Sequence, residues 1–365
     1  MSKIKREVAS AIASLHKVAG PPDKKIALNS GSTLVNLAFT GTPNAAYLPG
    51  KYYLLVGDSS AGKTFLAMTA LAEACQSKLF ENHELYLDNV EDGALMDVEH
   101  FFGKKLAERL RPPRYEKGIP VYSSTVEDFY DNLSRAHARA VNTGKPYVYI
   151  LDSENALSSE AEQKKHEAQR KARVKDVEAA GSYGDAKAAY HSQHLRIARI
   201  NLRDTASILI ILSQTRDNLG FGFEKKTRSG GRALKFYASV EAWLSVEKVL
   251  KKTVRGKPRE IGIMTKLQVR KNRTTGRLRV VSVPILHSAG VDDLGSCIDY
   301  LVEESYWKAI KKTIKAPDFE FEGSRSGLIE LIEKSNRERE LRALVTDVWR
   351  EIEEACEASR KPRYR

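Results

Sequence analysis

Residues 57–64, Gly-Asp-Ser-Ser-Ala-Gly-Lys-Thr, decide how the chain around them is read. The run before them, Tyr52-Tyr53-Leu54-Leu55-Val56, is apolar throughout and reads as a buried strand. The run after them, Phe65 to Leu71, holds good helix formers and reads as a helix. A strand, a loop with Gly57 and Gly62 five apart, then Lys-Thr and a helix is the context of a phosphate-binding loop. The glycines let backbone N–H groups turn inward around a polyphosphate, where the helix N-terminus adds partial positive charge. Lys63 would reach the β- and γ-phosphates and the Thr64 hydroxyl would ligate Mg²⁺. The nucleotide-binding set is thus Gly57, Asp58, Ser59, Ser60, Ala61, Gly62, Lys63, Thr64 and Phe65. A strand-to-helix turn that binds nothing is the plainer alternative, and the full spacing with both flanks argues against it.

The 365 residues, 42% of them hydrophobic, suffice for one large α/β core with smaller appendages. Lys and Arg number 60 against 47 Asp and Glu, a formal charge of +13 that suits a polyanionic partner such as nucleic acid. Cys75, Cys297 and Cys356 are far apart with no metal-ligand spacing, as expected of a reducing cytoplasm without a disulfide framework. No apolar run approaches membrane-spanning length and residues 1–20 lack a signal-peptide core, so the sequence predicts a soluble protein with no membrane partner.

Along the chain, residues 3–18 space Ile4, Val8, Ile12, Leu15 and Val18 as a short amphipathic helix, ended by Gly20-Pro21-Pro22. Its stripe would pack on its own core or on a neighbouring subunit. From Tyr52 to Gln214 strands at 52–56, 84–87, 119–122, 147–151 and 207–212 alternate with helices at 63–77, 94–109, 126–141 and 186–203. Such alternation means a mainly parallel sheet flanked by helices, with ligands at the carboxyl ends of its strands. Strands at 240–246, 261–269 and 278–283, joined by basic turns at 251–259 and 271–277, would extend one edge antiparallel. Cations on such a turn could reach a nucleotide held by an adjacent subunit. Beyond 292 the chain reads as mostly helical, at 293–303, 325–335 and 337–358, with an acidic linker at 316–323 and a basic end, SRKPRYR.

The remaining candidates sit at strand ends. YVYILDS (147–153) delivers Asp152, a carboxylate able to hold Mg²⁺ through water beside the phosphate loop; the alternative is an ordinary cap. LYLDNVED (85–92) offers Asp88 and Glu91 as bases orienting an attacking water, or a solvated turn. ILIILSQ (208–214) ends in Gln214, whose amide would sense the γ-phosphate or sit satisfied in a turn. The charged stretch 158–183 reads as a solvated helix or insertion, with DNA contact as the alternative. Residues 215–231 are glycine-rich and basic with Phe221 and Phe223 interleaved, suited to a single strand. Arg216, Lys225, Lys226, Arg228 and Arg232, with Gly230 and Gly231, form that DNA-binding set. A surface loop is the alternative.

With these pieces placed, the chain resembles the RecA family of ATP-dependent homologous-recombination proteins, in the style of its bacteriophage members. The resemblance runs from about residue 28 to 307, through LNSGSTLVNLAF (28–39), ILDSENAL (150–157) and ILSQTRDN (211–218). Its most specific element is SGGRALKFYASV (229–240), similar to the segment after the family's second DNA loop. VRKNRTTG (269–276) resembles the turn through which one subunit touches its neighbour's ATP, with Arg273 where the second lysine usually stands. The resemblance implies a RecA-like P-loop ATPase core at 28–289, an N-terminal oligomerisation helix and linker at 1–27, and a small, mostly helical C-terminal domain at 290–365. It implies a DNA-dependent ATPase that forms helical filaments on single-stranded DNA and exchanges strands with homologous duplex DNA. Mediator and single-strand-binding proteins would be further partners, in a bacterial or phage-infected cytoplasm. By the same resemblance Lys63 and Thr64 hold the triphosphate and Mg²⁺, Asp152 supports the metal, Glu91 is the base and Gln214 the γ-phosphate sensor. Lys271 and Arg273 would act in trans. Two residues separate Asp88 from Glu91 where the family usually has one, which brings in Asp92; the insertion is longer, and the end is basic where the bacterial tail is acidic. A ring-forming helicase or loader, and a non-catalytic recombination mediator, are the competing readings.

Overall fold

The computed structural model describes residues 23–91, 96–174, 186–217, 226–228 and 231–360. The helix expected at 3–18, Asp92, Phe221, Phe223, Lys225, Gly230 and the last five residues lie outside them. In chain order the first half comprises α1 (Thr33–Thr40), β1 (Lys51–Gly57), α2 (Lys63–Gln76), β2 (Glu84–Asn89), α3 (Val98–Phe102), α4 (Lys104–Arg109), β3 (Leu110–Arg111), β4 (Arg114–Glu116), β5 (Ile119–Val121), α5 (Val126–Thr143), β6 (Tyr147–Asp152) and α6 (Glu160–Val174). Then come α7 (Ala186–Thr205), β7 (Ile208–Asp217), β8 (Lys226–Arg228), α8 (Gly231–Tyr237), β9 (Val240–Val254), β10 (Lys257–Asn272), β11 (Val280–Leu286) and β12 (Gly290–Val291). Last are α9 (Asp293–Glu303), β13 (Lys308–Ile310), β14 (Thr313–Ala316), β15 (Phe321–Gly323), α10 (Arg325–Ser335) and α11 (Glu338–Ala355).

The main sheet runs β12-β11-β10-β9-β1-β7-β6-β2-β3, with β8 paired onto the end of β7. From β9 to β3 neighbours are parallel, and β10 to β12 continue antiparallel, so the expected α/β sheet with an antiparallel extension is borne out. Period-two alternation sorts its side chains between two layers. Tyr53, Leu55, Val148, Ile150, Ile208, Ile210 and Leu212 face α1, α2 and the C-terminal helices. Tyr52, Leu54, Val56, Tyr149, Leu151, Leu209 and Ile211 face α5, α7 and α8. Each buried Leu or Ile contributes about 1.5–3 kcal/mol, so a one-residue slip, which would exchange the layers, is strongly disfavoured. Leu328, Ile332, Leu341 and Val345 of α10 and α11 are continuous with the first cluster.

Three expectations fail for local reasons. Residues 119–122 do not join the parallel sheet: Ile119–Val121 pairs back on Arg114–Glu116 as a separate hairpin. Its burial is too slight for a core strand, with Ile119 at 66% exposure. The helix at 94–109 is broken by Gly103, whose φ of +86° ends α3 and starts α4. The stretch 316–323 is not a bare linker, because β15 adds to β13 and β14 around buried Trp307, whose indole donates to Asp318 at 2.7 Å.

Candidate functional site

Because β1, β2, β6 and β7 are parallel, their ends arrive at one edge of the sheet. Gly57 closes β1 directly opposite Gln214 of β7, Asp152 closes β6, and Glu91 follows β2. On its other side Gly57 meets β9 so closely that a Cβ would lie 2.5 Å from the Leu244 carbonyl oxygen, which leaves room for glycine alone.

Lys63 opens α2 and is buried, its Nζ donating to the Gly57 and Asp58 carbonyls at 3.0 and 2.8 Å. Burial pulls its pKa down, opposed by the negative charges of Asp152, Glu91 and Asp58. The Thr64 hydroxyl donates to Asp152 Oδ2 at 2.6 Å. Burial pushes the Asp152 carboxyl up; the Thr64 bond and Lys63 pull it down, while nearby Glu91 adds to the rise. A buried ammonium and a buried carboxylate beside a hydroxyl are the donor set for a triphosphate with Mg²⁺, which favours hard oxygen ligands, so these residues fit that pair. Alongside lies a cavity of about 450 Å³, lined on one side by Ser60 to Phe65 and on the other by Phe101, Glu260, Ile285 and His287. Phe65 meets Phe101 edge-on with ring centroids 5.3 Å apart.

The acidic cluster divides into two environments. Asp88 is buried and accepts from Ser123 N at 2.8 Å, Ser123 Oγ at 2.5 Å and Tyr149 OH at 2.7 Å. It braces the core and offers no free oxygen to a water at the strand edge. Glu91 is exposed, and its Oε1 accepts from Gln214 Nε2 at 2.8 Å and from the Ser153 hydroxyl. A base and an amide in direct contact, within electrostatic range of Lys63 and Asp152, can hold a water and take its proton.

Sequence reasoning missed Asn155. Its Oδ1 accepts from Gln214 N at 2.6 Å and Ser213 Oγ at 3.0 Å, so it fixes the backbone from which Gln214 reaches Glu91. Thr215, also missed, donates to Asp58 and ties β7 to the phosphate loop. Both sit inside quoted segments, yet only contact across strands reveals their work.

Beyond Gln214 the chain forms a hairpin, Thr215–Asp217 pairing antiparallel with Lys226–Arg228, which carries Arg216, Lys226 and Arg228 away from the same edge. Arg232 is exposed on α8, which begins at Gly231. Lys271 and Arg273 are not brought to the loop. Their strand pairs Asn272 with Val240, and Val240 with Tyr53, four residues before Gly57, or about 13 Å along the strand. There Lys271 Nζ donates to the Lys235 and Phe236 carbonyls at 2.5 and 2.7 Å, and Arg273 Nη2 to Phe236 O at 2.8 Å, at the negative end of α8. No helix among the described residues is long and apolar enough to cross a membrane.

Comparison with known proteins agrees with this geometry. The family described as RecA N-terminal domain matches residues 136–292, which take in Asp152, Gln214 and the 271–273 turn and leave the phosphate loop to stand on its own geometry. Protein RecA of Enterococcus faecalis is 27% identical over 303 residues, 80% of this chain and 74% of that protein. Protein RecA of Chlorobaculum parvum is 29% identical over 264 residues, 70% of this chain and 64% of that protein. A solved RadB recombinase covers 73% of this chain and 99% of its own at 14% identity with a TM-score of 0.47, too slight a likeness to carry argument. The resemblance to the RecA family is borne out.

Proposed function

We propose, with the RecA family as premise, that this chain is a DNA-dependent ATPase that assembles on single-stranded DNA and exchanges strands with a homologous duplex. The observation that carries the reading is the Gln214–Glu91 bond, 2.8 Å, because Gln214 is also the residue from which the basic hairpin departs. One side chain thus belongs to both the nucleotide edge and the DNA loop.

In this reading Lys63 neutralises the phosphates and Thr64 with Asp152 holds Mg²⁺. The metal, when bound, supplies charge neutralisation for the phosphate oxygens. Glu91 accepts the proton of the attacking water, and Gln214 holds that water and reports whether the γ-phosphate is present. Lys271 and Arg273 act on the ATP of an adjacent copy, a role supported by their distance from their own loop. Cations from the next subunit bind ATP more tightly than ADP, so ATP favours the assembled state and hydrolysis weakens it. Arg216, Lys226, Arg228 and Arg232, with Phe221, Phe223, Lys225, Gly230 and Gly231, make up the DNA loop. The protein is soluble and works in a bacterial or phage-infected cytoplasm, and its divergence from the bacterial relatives suits a bacteriophage-type member. Turnover of ATP with and without single-stranded DNA tests the reading: stimulation supports it, and DNA-independent turnover favours the ring motor or mediator.

A further inference from the structure

The hairpin of β9 and β10 runs on past the sheet. β11 pairs with β10 no further than Gly262, so residues 251–260 pair only with each other, and all ten are exposed. Their sequence, KKTVRGKPRE, holds five cations and one acid. The register places Lys252 directly opposite Arg259, and Lys257 opposite Val254 on the same face. On the other face Lys251 is opposite Glu260, which also meets His287. One face is therefore balanced and the other is cationic.

Two features of the cationic face disfavour the fold itself. Like charges directly across an antiparallel pair repel. Arg255 occupies the first position of the two-residue turn at φ +51°, followed by Gly256 at +72°, where Asn or Asp is the less strained choice. No carboxylate pairs with Lys252, Arg255, Lys257 or Arg259 among the described residues. A cation tolerated at a strained tip, beside an unrelieved cationic pair, points to an anion supplied from outside.

We infer that this ribbon grips the phosphate backbone of duplex DNA. Residues 246–261 contain no aromatic side chain, so the ribbon lacks the stacking surfaces on which unpaired bases are held, in contrast to the loop with Phe221 and Phe223. Phosphate contact needs only cations on a firm support, and a two-stranded ribbon matches the width of the major groove. The ribbon leaves the sheet edge that carries the phosphate loop, and β9 and β7 flank β1 on either side. Where they reach the sheet edge β9 and β7 are two strand spacings, roughly 10 Å, apart, and Lys252 lies eight residues beyond Leu244, roughly 26 Å further along β9, so the ribbon's cations stand well out from the edge where the hairpin after Gln214 begins. The inference rests on the proposed function only in taking duplex DNA as the second partner.

The test is anisotropy of a labelled duplex with the full chain, without nucleotide, across a salt series. Lys252→Ala/Lys257→Ala/Arg259→Ala should weaken duplex binding at least about tenfold near 0.1 M salt and make the log K against log salt slope shallower by about 3. Single-strand-stimulated turnover should stay unchanged, and Lys252→Arg/Lys257→Arg/Arg259→Lys should bind duplex like the parent. Unchanged duplex affinity and slope, or an equal loss of single-strand binding, would overturn the inference. If the parent binds duplex through these cations but shows no DNA-stimulated turnover, the recombinase reading fails and the ribbon stands.

Discussion

Asp88 and Glu91 are carboxylates three residues apart at one strand end, and their neighbours give them different work. Asp88 is spent on Ser123 and Tyr149, whereas Glu91 faces the edge with Gln214 on it. Glu91→Gln should lower turnover about 10²–10⁴-fold with nucleotide affinity little changed, read from single-turnover hydrolysis and fluorescent-nucleotide titration. Normal turnover would pass the role to Asp92. Asn155→Ala should weaken DNA stimulation of turnover more than basal turnover, because it frees the backbone of Gln214 without removing any group that touches phosphate. The placement of Asp152 and Gln214 was legible from apolar runs that end in a polar residue, and that of Lys63 and Thr64 from the glycine spacing ahead of a helix. Asn155 was not, since nothing in its spacing distinguishes an amide that clamps a neighbouring strand from one in a turn.

At the scale of elements, the long apolar runs announced their strands, while short segments depended on neighbours that the sequence does not name. Residues 119–121 form a strand but have no buried face to offer the main sheet, and 316–323 is ordered by its pairing with β14 and by Trp307 and Phe319 packed behind it. The turn at 271–275 is held by Asn272, buried, which donates to the Ala38 and Phe39 carbonyls and accepts from Thr274 N and Thr275 N. Asn272→Ala leaves those groups unpaired and should lower stability by about 1–3 kcal/mol in urea unfolding. His83, between α2 and β2, has its pKa lowered to about 4 by burial and by Arg109. The unfolded chain, titrating near 6.5, binds more protons than the folded one in between. Stability should therefore fall as pH drops from about 6.5 toward 4, and Tm measured for His83→Phe should show a shallower fall over that window.

For the whole molecule, the two halves of the proposed active site lie toward opposite edges of the same sheet. Lys63, Asp152 and Glu91 stand at the carboxyl edge and Lys271 with Arg273 toward the other, so the role proposed for these two cations would take two copies of the chain. Arg273→Ala should lower turnover in assembled protein and leave any turnover of dispersed protein unchanged, checked by ATPase assay against light scattering; equal loss in both would place Arg273 in its own subunit's chemistry. The most direct measurement of the central claim is steady-state ATP hydrolysis by the full chain with Mg²⁺, with and without single-stranded DNA, beside Lys63→Ala. The account predicts turnover that rises severalfold with DNA and is abolished in Lys63→Ala; turnover indifferent to DNA, or retained in that variant, would contradict it.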